Sequence, residues 1–249
     1  MTLEDALVQD CTCLQAALRD GRRWVNIPHI TVEDGQADAH AGSAFVLLGD
    51  SEALCSISLR LIQGDGELLV YDLFLGHTAI ERATACSYVN VIKSLPTFFE
   101  PVDTLGDWRL QYCVSLTLPQ HGACDLMALA IAFYSCLQVA TRPHSFEDGG
   151  PRIPLWEGGR DAPHIARVAF YDVQLEGGKL VRRSIINPDS RAFCFANAHA
   201  DIIFDAENIY YTDCVGSCDP IQAMEAVRNT SLSISSKVEI TDPPGCTRS

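Results

Sequence analysis

Basic residues are scarce in this chain of 249 residues: 18 lysines and arginines stand against 32 acids, for a net charge of −14. Nucleic-acid binding draws on lysine and arginine to displace condensed counterions. The expectation is therefore a protein with no nucleic-acid partner, whose partner, if charged, is basic. Long apolar runs are also missing, which excludes a membrane-spanning helix. The first residues, Met1-Thr2-Leu3-Glu4-Asp5, carry acids where a secretory leader needs lysine or arginine, so a cytoplasmic or nuclear location is expected. Paired cysteines with zinc-knuckle spacing are absent too. Cys11-x-Cys13 and Cys214-x3-Cys218 have the wrong intervals and no matching second pair. No metal and no cofactor are expected.

What is present is a globular composition, 47% hydrophobic and 20% charged, with eleven cysteines that a reducing compartment keeps as free thiols. Residues 3–19 carry Leu3, Leu7, Cys11, Leu14 and Leu18 at helical spacing, followed by Asp20-Gly21 as a stop. Trp24 to Pro28 reads as a short strand and 31–42 as loop. Ala44 to Leu48 and the alternating Cys55, Ile57, Leu59, Leu61 read as strands. Gln63-Gly64-Asp65-Gly66 reads as a hairpin turn, with Glu67 to Phe74 as the return strand. A helix is expected over 78–95 and β structure over 107–118. Beyond a Gly/Pro-rich loop, His164–Leu175 and Lys179–Asn187 form a hairpin about Glu176-Gly177-Gly178. Two short strands flank Asp205–Asn208, and a helix spans Pro220–Arg228.

One stretch dominates the chemistry. Leu118-Pro119-Gln120-His121-Gly122-Ala123-Cys124 leads into Asp125–Leu137, almost wholly apolar or small, which as a helix would be buried on all sides. A thiol on the first turn of a helix meets the positive end of its dipole, which favours the thiolate. A Gln120 side-chain amide just before it could donate to a developing oxyanion. Cys124 is thus a candidate nucleophile, and equally an ordinary buried thiol.

From about Glu67 to Leu137 the order of elements resembles the cysteine proteases that process ubiquitin-like, SUMO-type modifiers. The residues behind the likeness are Val70-Tyr71-Asp72 on a strand, Asp107-Trp108, and Pro119-Gln120 ahead of Cys124 and its apolar helix. The resemblance implies that Asp72 orients a base, Gln120 serves the oxyanion hole and Cys124 attacks. The chain departs from that pattern at Asp125, where the family has glycine, and in lacking its His-Trp on the 54–62 strand. His40 is the nearest upstream histidine. A second, papain-like order of Cys, His, Asn places the base at His164 and its orienting partner at Asn187 (or Asp189).

These readings together give an α+β, cysteine-peptidase-like fold with a central buried helix packed on an antiparallel sheet. Its expected divisions are a protease-like region 1–140, a loop 141–163, a β-rich region 164–229 packed on the first, and a loose tail 230–249. The expected function is a thiol hydrolase acting on a peptide or isopeptide bond through a Cys124 thioester. The expected partner is a protein or peptide substrate, a ubiquitin-like modifier among them, with no nucleic acid and no membrane. The competing expectation is an inactive protease-like binding or assembly protein. A third class, a capsid or other assembly subunit rich in buried thiols, has no specific support and nothing against it. Oligomeric state is left open.

Overall fold

The computed structural model describes residues 3–20, 24–34, 40–64, 67, 69–75, 82–97, 108–143, 152–156, 162–230 and 238–240. Its elements, in chain order, are α1 (Leu3–Arg19), β1 (Trp24–Val25), β2 (His29–Asp34), β3 (His40–Leu48), β4 (Ser51–Gln63), β5 (Leu69–Leu75), α2 (Arg82–Ser94) and β6 (Trp108–Gln120). They continue with α3 (Asp125–Val139), β7 (Thr141–Pro143), β8 (Arg152–Pro154), β9 (His164–Gln174), β10 (Leu180–Ile186), α4 (Ser190–Phe193), β11 (Ala198–Phe204), β12 (Ile209–Val215), α5 (Pro220–Arg228) and β13 (Val238–Ile240). Among the described residues, no helix is long and apolar enough to cross a membrane. The tail beyond Thr230 lies outside the described residues except for β13.

The strands form two larger sheets, ordered β13-β2-β3-β4-β6-β5 and β1-β10-β9-β11-β12. Most neighbours run antiparallel. The β5–β6, β13–β2 and β1–β10 pairs are parallel, so the fold is α+β with antiparallel-rich sheets. In the first sheet, alternation decides the faces. Ser51, Ala53, Cys55 and Ile57 of β4 and Leu110, Tyr112, Val114, Leu116 and Leu118 of β6 point inward and are buried. Helix α3 lies on that inner face. Its residues from Asp125 to Leu137 are all buried, as an all-round apolar helix requires. Gly42 lets strand β3 come close to the end of α3, because a Cβ there would stand 2.9 Å from the Ala140 Cα.

The second sheet is covered on both faces. Ala166, Val168 and Phe170 of β9 pack with Ala223 and Val227 of α5, while Ala169, Tyr171 and Val173 pack with Leu14 and Leu18 of α1. The hairpin between β9 and β10 closes on Gly177 and Gly178, both at positive φ, where glycine carries no steric cost.

Two local expectations are corrected here. Residues 31–34 and 40–42, expected as loop, belong to strands, with Val32 following Ile30 into the core. Strands β4 and β5 do not form a hairpin. Strand β6 lies between them, antiparallel to β4 and parallel to β5, and helix α2 lies between β5 and β6 in the chain, as a parallel pair demands of its connection.

Candidate functional site

The polar residues of the interior gather at the amino end of α3, where the two sheets meet. The helix begins after Cys124, whose side chain makes no capping hydrogen bond. The backbone amides leading into the helix are held by side chains. Gly122 N donates to Asp125 Oδ1 at 2.8 Å, Ala123 N to Asp50 Oδ1 at 3.3 Å and Cys124 N to Ser51 Oγ at 2.9 Å. The second Asp50 oxygen accepts from Ser190 N at 3.1 Å, so this carboxylate ties α3 to the turn after β10. Asp189 in that turn caps α4 by accepting from Ala192 N at 2.8 Å. Gly122 is required, since a Cβ there would stand 2.5 Å from Asp50 Oδ1 and 2.6 Å from Ser51 Oγ.

From the second sheet, Arg167 reaches into the same junction. Its guanidinium pairs with both oxygens of Asp201, donates to Ala123 O, and stacks 4.9 Å from the Phe193 ring centroid. Burial works to lower the Arg167 pKa, but its hydrogen bonds and charge contact with Asp201 outweigh this and raise it. Asp201 is 3% exposed, a depth at which a carboxylate needs such a partner. His121 pairs with Asp125 across one helical turn.

The residues expected to be catalytic fall into this frame as follows. Cys124 is fully buried, and its thiol donates to Pro188 O at 3.3 Å. Burial pushes its pKa up to about 12, with Arg167 pulling it down and Asp201, Asp50 and Asp189 adding to the rise. The thiolate that nucleophilic attack needs is therefore suppressed. Gln120 ends β6, and its side-chain amide donates to Asp50 O at 3.1 Å. Asp72 pairs in register with Ser115 and is exposed. It sits on the outer face of its sheet, with the sheet between it and α3.

His164 lies at the start of β9, in register with Phe204, its ring 5.0 Å from the Phe204 ring. Strand alternation sends it to the α5 side of the second sheet, while Arg167, near Cys124, points the other way. Asn187 is buried at φ 53°. It accepts from Arg167 N at 3.0 Å and donates to Asn26 O at 3.2 Å, while Asn26 Nδ2 donates back to its carbonyl at 2.7 Å. That fixes β1 beside β10. The side chain of His40 lies outside the described residues. The structure thus gathers Cys124 and Gln120 around Asp50, places Asn187 beyond Arg167, and sends Asp72 and His164 to other faces.

Sequence reasoning missed Asp50, Ser51, Arg167 and Asp201, which do the organising. A signal was available: Arg167 and Asp201 are opposite charges, each flanked by apolar residues on its strand, the mark of a buried ion pair.

The fold is similar to that of exosome core chains and not to a cysteine-peptidase fold. An archaeal exosome core chain superposes with a TM-score of 0.60 at 17% identity, covering 94% of this chain and 95% of that one. A chain of the Archaeoglobus fulgidus exosome with RNA bound to the active site gives a TM-score of 0.56 at 17% identity over 92% and 95%. Rice (Oryza sativa) Rrp46 gives 0.54 at 13% over 87% and 93%. No family model matches the sequence, and no curated protein matches it.

These likenesses overturn the resemblance to SUMO-type and papain-like peptidases, and with it the thiol hydrolase acting on a peptide or isopeptide bond, the inactive-protease alternative and the protein or ubiquitin-like substrate. The order Asp72, Gln120, Cys124 arose from a strand, helix, strand and buried helix that a different fold also contains. The expectation of no nucleic-acid partner falls as well. It rested on net charge alone, and a chain of similar fold comes from an exosome with RNA bound.

Proposed function

We propose that this chain is a subunit of an exosome-like, RNA-processing assembly, and that its part in it is architectural. The observation that carries the reading is the likeness over nearly the full length of both chains to exosome core subunits. The junction at α3 supports the second half. A helix start is an anion-binding site when its amides are open. Here the amides leading into α3 are held by Asp125, Asp50 and Ser51, and carboxylates in that position repel a phosphate. The one thiol at the site is buried and protonated. The described polar groups there are committed to joining two sheets. A cytoplasmic or nuclear setting goes with this reading.

The test is affinity purification of the tagged full chain from its native cell, with native mass spectrometry of the eluate and ultraviolet crosslinking to RNA. The expected result is a stoichiometric complex with other subunits of the same fold and crosslinked RNA in that complex. A chain recovered alone, or with peptidase substrates and no such subunits, refutes the proposal.

A further inference from the structure

Strand β12 is an outer strand of the second sheet, and its end carries two thiols four residues apart. Cys214 is exposed and pairs in register with Ala200. The chain then turns at Gly216, at φ +79°, where a Cβ would stand 2.9 Å from Asn197 O. The turn folds Cys218 back, so that its thiol donates to His199 O at 3.0 Å, on the residue next to Ala200, the register partner of Cys214. The turn is held from outside. Arg182, paired with Asp172, donates to both Ser217 O and Ser217 Oγ. Immediately after, Asp219 caps α5 by accepting from Ile221 N at 2.9 Å. Among the ten described cysteines, this is the exposed thiol set against a second thiol. Cys55 and Cys136, which also contact each other, are both buried.

We propose that Cys214 and Cys218 form a redox-responsive dithiol, which a peroxide closes to an intramolecular disulfide clamping the turn between β12 and α5. Cys214 is the attacking thiol, being open to solvent. Its thiolate attacks one oxygen of hydrogen peroxide, the O–O bond breaks, and the departing hydroxide takes up the thiol proton to leave water. The resulting sulfenic acid faces Cys218. The Cys218 sulfur attacks the Cys214 sulfur, the S–S bond forms, the S–O bond breaks, and hydroxide leaves with the Cys218 proton as a second water. Two thiols lose two electrons, and one peroxide is reduced to two waters. A small-molecule thiol such as glutathione reverses the reaction by exchange. The pairing stands on local geometry and is independent of the proposed assembly.

The experiment treats the purified full-length protein with hydrogen peroxide, alkylates the remaining thiols and maps the cysteines by mass spectrometry. The expected result is joint loss of alkylation at Cys214 and Cys218, with that peptide lighter by two hydrogen atoms. Dithiothreitol should restore both, and the exposed Cys13, Cys86 and Cys194 should be alkylated as before. In Cys218→Ser, Cys214 should instead be trapped as a sulfenic acid by dimedone. The proposal is overturned if Cys214 and Cys218 are alkylated as fully as the other exposed thiols, or if either is found bonded to a different cysteine.

Discussion

At the scale of single residues, the surroundings of Cys124 set the state of its thiol. A helix start favours a thiolate only while its amides are free and water can reach the sulfur. Here the carboxylates of Asp50 and Asp125 stand at the amides leading into the helix, and the sulfur is buried against Pro188 O. The protonated thiol is therefore what the native state holds, and its pKa moves from an ordinary 9.0 to about 12. A proton bound more tightly in the folded than in the unfolded chain stabilises the fold. That contribution is fully present below pH 9 and is lost as pH rises towards 12. Cys124→Ala removes it, so its stability should fall less steeply with pH through that window than the wild type does. Urea unfolding at a series of alkaline pH values measures both slopes. Parallel curves would show that the thiol titrates alike in both states and sink the account.

At the scale of elements, α3 is buried on all sides from Asp125 to Leu137, and it was legible in advance because these thirteen residues offer no polar face to water. Leu129 is wholly buried in the largest core cluster. Leu129→Ala should cost about 2–5 kcal/mol, lowering the urea midpoint at unchanged m-value. A loss under about 1 kcal/mol would mean that the site collapses around the smaller side chain. The β9–β10 hairpin was legible for a different reason, since Gly177-Gly178 fixes its register locally. Sequence alone also placed Asn187 opposite Arg167, as observed. What was not legible was any pairing set by long-range closure. Reading 63–66 as a tight turn joined β4 to β5 and hid a strand, helix, strand order that signals a parallel pair. Asp72 lies beside Ser115 on the outer face. His164 and Arg167 face opposite sides of β9, because three residues along a strand exchanges one face for the other.

At the scale of the whole molecule, one side chain does most to join the halves. The residues that make the fold an exosome-core type are spread over two sheets, with no compact motif to betray them, so the sequence offered the parts and not the class. The join itself is Arg167. It rises from β9, holds Asp201 on β11 within its own sheet, and donates to Ala123 O at the start of the helix that belongs to the other. The pair is deeply placed, with side-chain exposures of 16% and 4%. Breaking such a pair costs more than it contributed, because the remaining charge is left buried and alone. Arg167→Met should therefore destabilise the protein by about 3–5 kcal/mol, the cost of stranding Asp201. Adding Asp201→Leu should recover much of that loss by removing the stranded charge, though not the bond to Ala123 O. Chemical denaturation of the two single variants and the double variant closes the cycle. A double variant no more stable than Arg167→Met would locate the cost in the lost contact across the two sheets. Full recovery would locate it in the ion pair, leaving Asp50 as the group that holds the second sheet's turn against α3.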